Sequence, residues 1–271
     1  MTILKLSRSI ITQSQTMQVR ILGCSGGIGG DRRTTSFLID EDILIDCGTG
    51  VGNLSVEEMR KLRHVFLTHT HLDHIATLPL LVDTLFSDLQ TRPLVIHALE
   101  ESMEIIKKHI FNWQIWPDFF ELPDKKRPSI EFQPMAAGEI CELNGRSIEM
   151  IPVNHSVPGV GYRIENGTGS FAFSGDTTTN DTLWEALNRY DELDMLVVEC
   201  AFSNSEKQLS NLAKHYCPES LIADMAKLRH HPRVYLSHLK PGEEDQIFRE
   251  VSEGLKGFDV IRLHSEDHFQ L

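Results

Sequence analysis

The run His69-Thr70-His71-Leu72-Asp73-His74 constrains this chain more than any other segment. Four of its six side chains are metal-binding types. Imidazole suits zinc, iron and manganese, and the carboxylate adds charge that imidazole cannot supply. Four such groups within six residues are too crowded for one closed tetrahedral site. They suit a pair of adjacent ions, each holding part of the cluster. The flanks bear on the fold. His64-Val65-Phe66-Leu67-Thr68 reads as a short apolar strand, and Ile75 to Leu85 as an apolar helical run. A ligand loop between a buried strand and a buried helix is held from both sides, as a two-ion site requires.

The same arrangement recurs along the chain. Strand patterns cover Gln18–Leu22, Ser36–Ile39, Ile43–Ile45, Val95–Ala98, Ile130–Met135, Glu139–Asn144, Arg146–Val153, Val160–Ile164, Ser170–Phe173, Met195–Val198, Val234–Leu236 and Asp259–Arg262. Turns at Asp40-Glu41-Asp42 and Asn166-Gly167 make hairpins of two pairs. Helical patterns cover Val56–Leu62, Glu100–Asn112, Thr182–Arg189, Pro218–Lys227 and Asp245–Leu255. His69, His155, Asp176, Glu199 and His238 each stand just after a short apolar strand. In layered α/β folds, strand ends at one sheet edge gather reactive groups into a cleft. The glycines at 26, 27, 29 and 30 are followed by neither Lys-Ser/Thr nor a helix pattern, which excludes a phosphate loop.

Composition limits the function classes. The formal charge of −13 opposes a large nucleic-acid footprint, which needs a basic face. Five dispersed cysteines, with no Cys-x-x-Cys pair, read as free buried thiols in a reducing compartment. Ser7, Ser9, Thr12 and Gln13 interrupt any apolar run near the start, a poor secretion signal. No apolar stretch reaches the roughly 18 residues of a membrane span. A cytoplasmic protein is the expectation.

Over roughly residues 18–265 this pattern resembles the metallo-β-lactamase fold superfamily. The resemblance implies an α/β fold, an αβ/βα four-layer sandwich. It implies a single hydrolase domain over residues 17–271, with residues 1–16 an irregular lead. It makes His69, His71 and His155 the ligands of one metal, Asp73, His74 and His238 those of a second, and Asp176 the bridge. Within the superfamily the chain is similar to the class II cyclic-nucleotide phosphodiesterases. Four segments carry that likeness: His109–Pro117, Val198–Asn204, Leu212–Pro218 and Leu236–Pro241. Tyr216 and Cys217 depart from the family's His-Leu-Thr-Pro, and Cys200 and Ala201 from its Glu-x-Ser-Phe-x-Asn.

The implied cofactors are two divalent metal ions, zinc first, with manganese or iron as alternatives. Such a pair can hold a hydroxide between its ions at neutral pH and clamp a phosphodiester. Attack on a 3′,5′-cyclic nucleotide would expel the 3′ oxygen and leave a 5′-monophosphate. His215 is the candidate proton donor, with Glu199 fixing its orientation, as a similar pair does in the tRNase Z endonucleases. Asp73 is a ligand first and a proton acceptor second. Lys240 would pair with a phosphate or close a turn, and Asn154 and Ser156 would support His155. Trp113, Trp116, Phe119 and Phe120 read as core or homodimer interface ahead of base stacking. His64, His97, His230, His231, His264 and His268 lack partner spacing and read as structural or surface residues.

The expected partner is a small phosphodiester, with neither extended nucleic acid nor membrane. Two other readings use the same residues. A tRNase Z-like nuclease is similar over His155–Ile164. Leu72 stands where that family carries Gly, and only 20 residues separate His155 from Asp176, too few for its RNA-gripping arm. A di-iron protein that binds or senses dioxygen would need the same seven ligands.

Overall fold

The computed structural model describes residues 16–271, so the expected irregular lead lies, apart from Thr16, outside the described residues. The first part of the chain forms β1 (Gln18–Gly23), β2 (Ser36–Ile39), β3 (Ile43–Ile45), α1 (Val56–Met59), β4 (His64–Phe66), α2 (Leu72–Ile75), α3 (Leu78–Thr84), α4 (Phe86–Leu89), β5 (Leu94–Ala98), α5 (Glu100–His109), a small hairpin of β6 (Pro123–Asp124) and β7 (Arg127–Pro128), and β8 (Ile130–Pro134). The second part forms β9 (Ile140–Leu143), β10 (Arg146–Val153), β11 (Gly159–Glu165), β12 (Ser170–Phe173), α6 (Thr182–Leu187), β13 (Met195–Glu199), α7 (Lys207–Ala213), α8 (Pro218–Met225), β14 (Arg233–Ser237), α9 (Glu244–Gly254), β15 (Val260–Arg262) and β16 (His268–Gln270).

Two seven-stranded sheets result, ordered β16-β1-β2-β3-β4-β5-β8 and β15-β14-β13-β12-β11-β10-β9. Each joins an antiparallel meander to a parallel run, β3-β4-β5-β8 in one and β12-β13-β14-β15 in the other. Strand alternation sorts the side chains into three cores. On β4, Val65 faces helices α2–α5, while Phe66 faces the opposite sheet. On β13, Met195 and Val197 enter the inter-sheet core, and Leu196 and Val198 pack under α6, α8 and α9. Both sheets are therefore buried on both faces, which is the expected αβ/βα four-layer sandwich. Each fully buried side chain of this size contributes about 1.5–3 kcal/mol relative to exposure.

One local expectation needs correction, and two features lay outside the sequence reading. The apolar run Ile75–Leu85 breaks between α2 and α3. Pro79, near the start of α3, lacks an N–H and its ring opposes a helical carbonyl four residues earlier. Thr77 instead turns into the β3 loop, where its N–H and hydroxyl donate to Cys47 O at 3.0 and 2.9 Å. The metal-binding motif is thus half loop and half helix, with His71 at the N-cap of α2. The strands on either side of Ala136-Ala137-Gly138 do not pair; β8 edges one sheet and β9 the other. Finally, α7, β16 and the β6–β7 hairpin had no counterpart in the sequence reading. Among the described residues, no helix is long and apolar enough to cross a membrane.

Candidate metal centre

The C-terminal ends of β3, β4, β12, β13 and β14 meet at one edge of the sandwich, together with the end of β10. They bring together all seven residues expected to hold metal. Their ligand atoms form two groups: His69, His71, His155 and Asp176 in one, Asp73, His74, Asp176 and His238 in the other. Within each group these atoms lie within 4.8 Å of one another, and Asp176 belongs to both. Asp176 Oδ2 is 3.2 Å from His74 Nε2 and 3.6 Å from His69 Nε2. Its Oδ1 is 3.3 Å from His238 Nδ1. Asp73 Oδ2 lies 3.8 Å from His74 Nε2 and 3.8 Å from His238 Nε2. Donors around one tetrahedral zinc ion stand about 3.3 Å apart, given zinc–ligand bonds near 2.0 Å.

Four of these atoms are buried without a hydrogen-bond partner: His69 Nε2, His74 Nε2, Asp176 Oδ1 and His238 Nδ1. An unsatisfied buried polar atom costs about 1–3 kcal/mol, so four facing one another are unfavourable without a cation. His155 Nε2 and His71 Nδ1 are likewise 3.1 Å apart. The residues present fit a pair of divalent ions.

The surrounding groups fix which imidazole nitrogen stays bare. Asp46, directly after β3 and fully buried, accepts from Thr68 N, Thr68 Oγ1 and His74 Nδ1, each at 2.7 Å. Thr68 Oγ1, having donated to Asp46, accepts from His69 Nδ1 at 3.0 Å. His155 Nδ1 donates to Lys214 O at 3.0 Å. Each of these rings then keeps Nε2 as a lone-pair donor. Sequence reasoning did not single out Asp46, although it occupies the same strand-end position as Glu199 and His238.

Electrostatics point the same way for four of the five imidazoles; burial would lower His74 too, but Asp176 and Asp46 outweigh it and raise His74 well above its ordinary value. Burial holds His69 well below the ordinary imidazole range and lowers His71, in each case only partly offset by Asp176. Burial, with Asp176 opposing, brings His155 to about 4 and His238 to about 3. Neutral imidazoles are the form that ligates. Burial would raise Asp176, but His238, His74 and His69 around it keep the carboxylate ionised.

A second pair adjoins these groups. Glu199, the last residue of β13, has its carboxylate buried on four donors. Its Oε1 accepts from His215 Nδ1 at 2.8 Å and Thr177 N at 2.9 Å. Its Oε2 accepts from Ala201 N at 3.0 Å and Tyr216 N at 3.4 Å. The His215 ring stacks on His238, with centroids 5.1 Å apart, and lies 5.0 Å from His155. Burial disfavours a charged His215, but the Glu199 carboxylate outweighs it and raises the imidazole above its ordinary value.

Other expected contributors take plainer roles. Lys240 Nζ donates to Gly26 O at 2.9 Å, which closes the glycine loop over the segment that carries His238. A Cβ on Gly26 would stand 2.5 Å from His238 O, so this loop owes its glycine to close backbone approach. Ser156 Oγ is 3.5 Å from His71 Nε2, and Asn154 Nδ2 donates to Thr179 O at 3.0 Å, steadying the loop after Asp176. Phe119 is buried in the helix-side core with Trp116 and Phe120 packed against that core, while Trp113 is exposed. His64 and His97 take a structural role. Their Nδ1 and Nε2 are 3.0 Å apart across β4 and β5, and His97 stacks on Phe66.

A model of the beta-lactamase superfamily domain matches residues 41–239. A probable 3′,5′-cyclic-nucleotide phosphodiesterase of Yersinia pestis is 23% identical over 228 residues, 74% of this chain but only 64% of its own length. A ribonuclease Z of Azobacteroides pseudotrichonymphae is 27% identical over a 291-residue alignment covering 92% of this chain and 96% of its own. Among solved structures, unliganded yeast PDE1 superposes with a TM-score of 0.79 at 18% identity, over 95% of this chain and 100% of that one. The short form of human tRNase Z superposes with a TM-score of 0.66 at 15% identity, over 93% and 98% of the two chains. By its sequence, and with a fold that agrees, this chain belongs to the beta-lactamase superfamily.

Proposed function

We propose that the protein is a dinuclear metal-dependent phosphodiesterase that hydrolyses 3′,5′-cyclic nucleotides to 5′-nucleotides. The observation that carries this reading is the Glu199–His215 pair, whose imidazole stacks on His238 and meets His155 edge-on, both residues assigned to hold metal. A bare hydrolytic centre needs no such donor. A phosphodiester whose leaving group departs as an alkoxide does.

His69, His71 and His155 would hold one ion, Asp73, His74 and His238 the other, with Asp176 between them. Bound divalent cations, zinc first, supply Lewis acidity towards the phosphoryl oxygens and lower the pKa of water. The chain's own groups do the rest. Glu199 takes the Nδ1–H of His215, so Nε2 carries the proton that can be transferred. As the water oxygen bonds to phosphorus and the P–O3′ bond breaks, that proton passes to O3′. Asp73, whose carboxylate reaches solvent, accepts the proton that the water gives up. A placed acid of this kind is worth about 10²–10⁴ in rate.

The small-diester reading draws support from the charge of −13 and from the β11–β12 hairpin, which fills the interval between His155 and Asp176. A ribonuclease Z-like nuclease is the second reading, favoured by the near full-length match to the Azobacteroides protein. Turnover of cyclic AMP, cyclic GMP and a 3′-extended tRNA precursor, with zinc, manganese or iron added, tests both. Cleavage of the precursor without cyclic-nucleotide turnover would overturn the first.

A further inference from the structure

Asp224, on α8, is buried, although the proposed chemistry gives it no task. Its Oδ2 accepts from Tyr216 Oη at 2.7 Å, Asn180 N at 3.0 Å and Trp184 Nε1 at 3.1 Å. Its Oδ1 pairs with Lys227 Nζ at 2.8 Å. Tyr216 follows His215 directly, and Asn180 ends the loop that begins at Asp176. Asn180 Nδ2 donates to Thr177 Oγ1 at 3.1 Å and reaches Tyr216 Oη at 3.4 Å. Thr177 N and Tyr216 N both donate to Glu199.

These bonds close a ring: Glu199, Thr177, Asn180, Asp224, Tyr216 and back to Glu199. The ring ties the loop carrying Asp176 to the loop carrying His215, with the Glu199 carboxylate at their junction. Buried networks in which every member is satisfied hold geometry more firmly than their separate bonds would. A phenol and a carboxylate are needlessly polar here if packing alone were required, because the surrounding core is apolar. We propose that Asp224 and Tyr216 are positioning residues that set His215 on Glu199 for proton delivery. This rests on the reading of His215 as the proton donor.

Leaving groups separate the possibilities. A p-nitrophenolate leaves without a proton near neutral pH, whereas the 3′ alkoxide of cyclic AMP does not. Turnover per bound metal would be measured on bis(p-nitrophenyl) phosphate and on cyclic AMP for Tyr216→Phe, Asp224→Asn and His215→Gln. Val251→Ala, a core truncation on α9, controls for destabilisation. Tyr216→Phe and Asp224→Asn should lose about tenfold on cyclic AMP and less than about twofold on the nitrophenyl ester, part of what a placed acid contributes. Val251→Ala should leave the ratio unchanged. If His215→Gln shows no leaving-group dependence, the donor reading fails. If His215→Gln shows it and the two ring variants do not, the positioning inference fails. A second readout needs no turnover. The downfield imidazole N–H of His215, assigned by its loss in His215→Gln, should exchange at least about ten times faster in both ring variants, as expected when a supporting network is opened. An unchanged exchange rate overturns the inference whatever the substrate.

Discussion

Asp46→Asn changes one oxygen to an NH2 and should weaken both donor groups. In the native site one carboxylate oxygen takes Thr68 N, and the other takes Thr68 Oγ1 and His74 Nδ1. The asparagine carbonyl keeps the first bond. Its NH2 then faces a hydroxyl and an imidazole that were both donating. His74 can relieve the clash by moving its proton to Nε2, the nitrogen assigned to metal. Thr68 can relieve it by accepting from the amide, which turns its own proton towards His69 Nδ1. His69 would then carry its proton on Nε2 as well. Loss of such an orienting partner typically weakens metal affinity 10–100-fold, about 1.4–2.7 kcal/mol for each histidine affected. Metal-free stability should fall by only about 1 kcal/mol, because the side chain keeps its volume and one bond. Competition with a chelator of known affinity, alongside thermal unfolding of metal-free protein, separates the two effects. Two metal equivalents bound with affinity within about twofold of wild type would refute the argument from Asp46.

Further outcomes follow from particular contacts. His215→Ala should retain its metals and lose about 10²–10⁴ in cyclic-nucleotide turnover; a loss below about tenfold would rule out the donor role. Gly26→Ala forces a methyl against the backbone at His238 and should lower the unfolding free energy by about 1–3 kcal/mol in a urea titration. Chelation of the metals should lower the midpoint of thermal unfolding, and restoring them should raise it with concentration, as mass action requires. Burial opposes ionisation of Asp42, but Arg146, bonded to it at 2.6 and 2.7 Å, holds the carboxyl below its ordinary value. That contribution is complete above the unfolded carboxylate value of about 3.9 and is lost as pH falls through the folded one. The stability difference between wild type and Arg146→Met should therefore shrink below about pH 4 in urea unfolding, and a difference constant with pH would count against the pairing.

How much of this was legible depended on the range of the interactions involved. The hairpin Ser36–Ile39/Ile43–Ile45 and the strand Arg146–Val153 form with the bounds read from the sequence, because alternation and turn residues are local signals. All seven metal-type residues converge as expected, since strand ends and ligand types both mark them. The break before α3 is marked locally by Pro79, but the turn taken at Thr77 was hidden because it is fixed by a bond to Cys47, thirty residues away. The separation of β8 from β9 was hidden because a strand pattern carries no record of which sheet it joins. Asp46 and Asp224 were missed for a related reason. A buried carboxylate is recognised by the donors around it, and those come from Thr68 after β4, from α2 and α6, and from the loops beside Asp176 and His215.

Each of the two donor groups draws two residues from the chain before the β8–β9 link and two from the chain after it. Were the backbone cut within residues 135–139, neither fragment would retain a complete coordination set for either ion. The cations would then act as rivets between severed halves. A nicked protein, whose halves still share the inter-sheet core and the β1–β16 pairing, should unfold at a lower temperature once stripped of metal than when loaded.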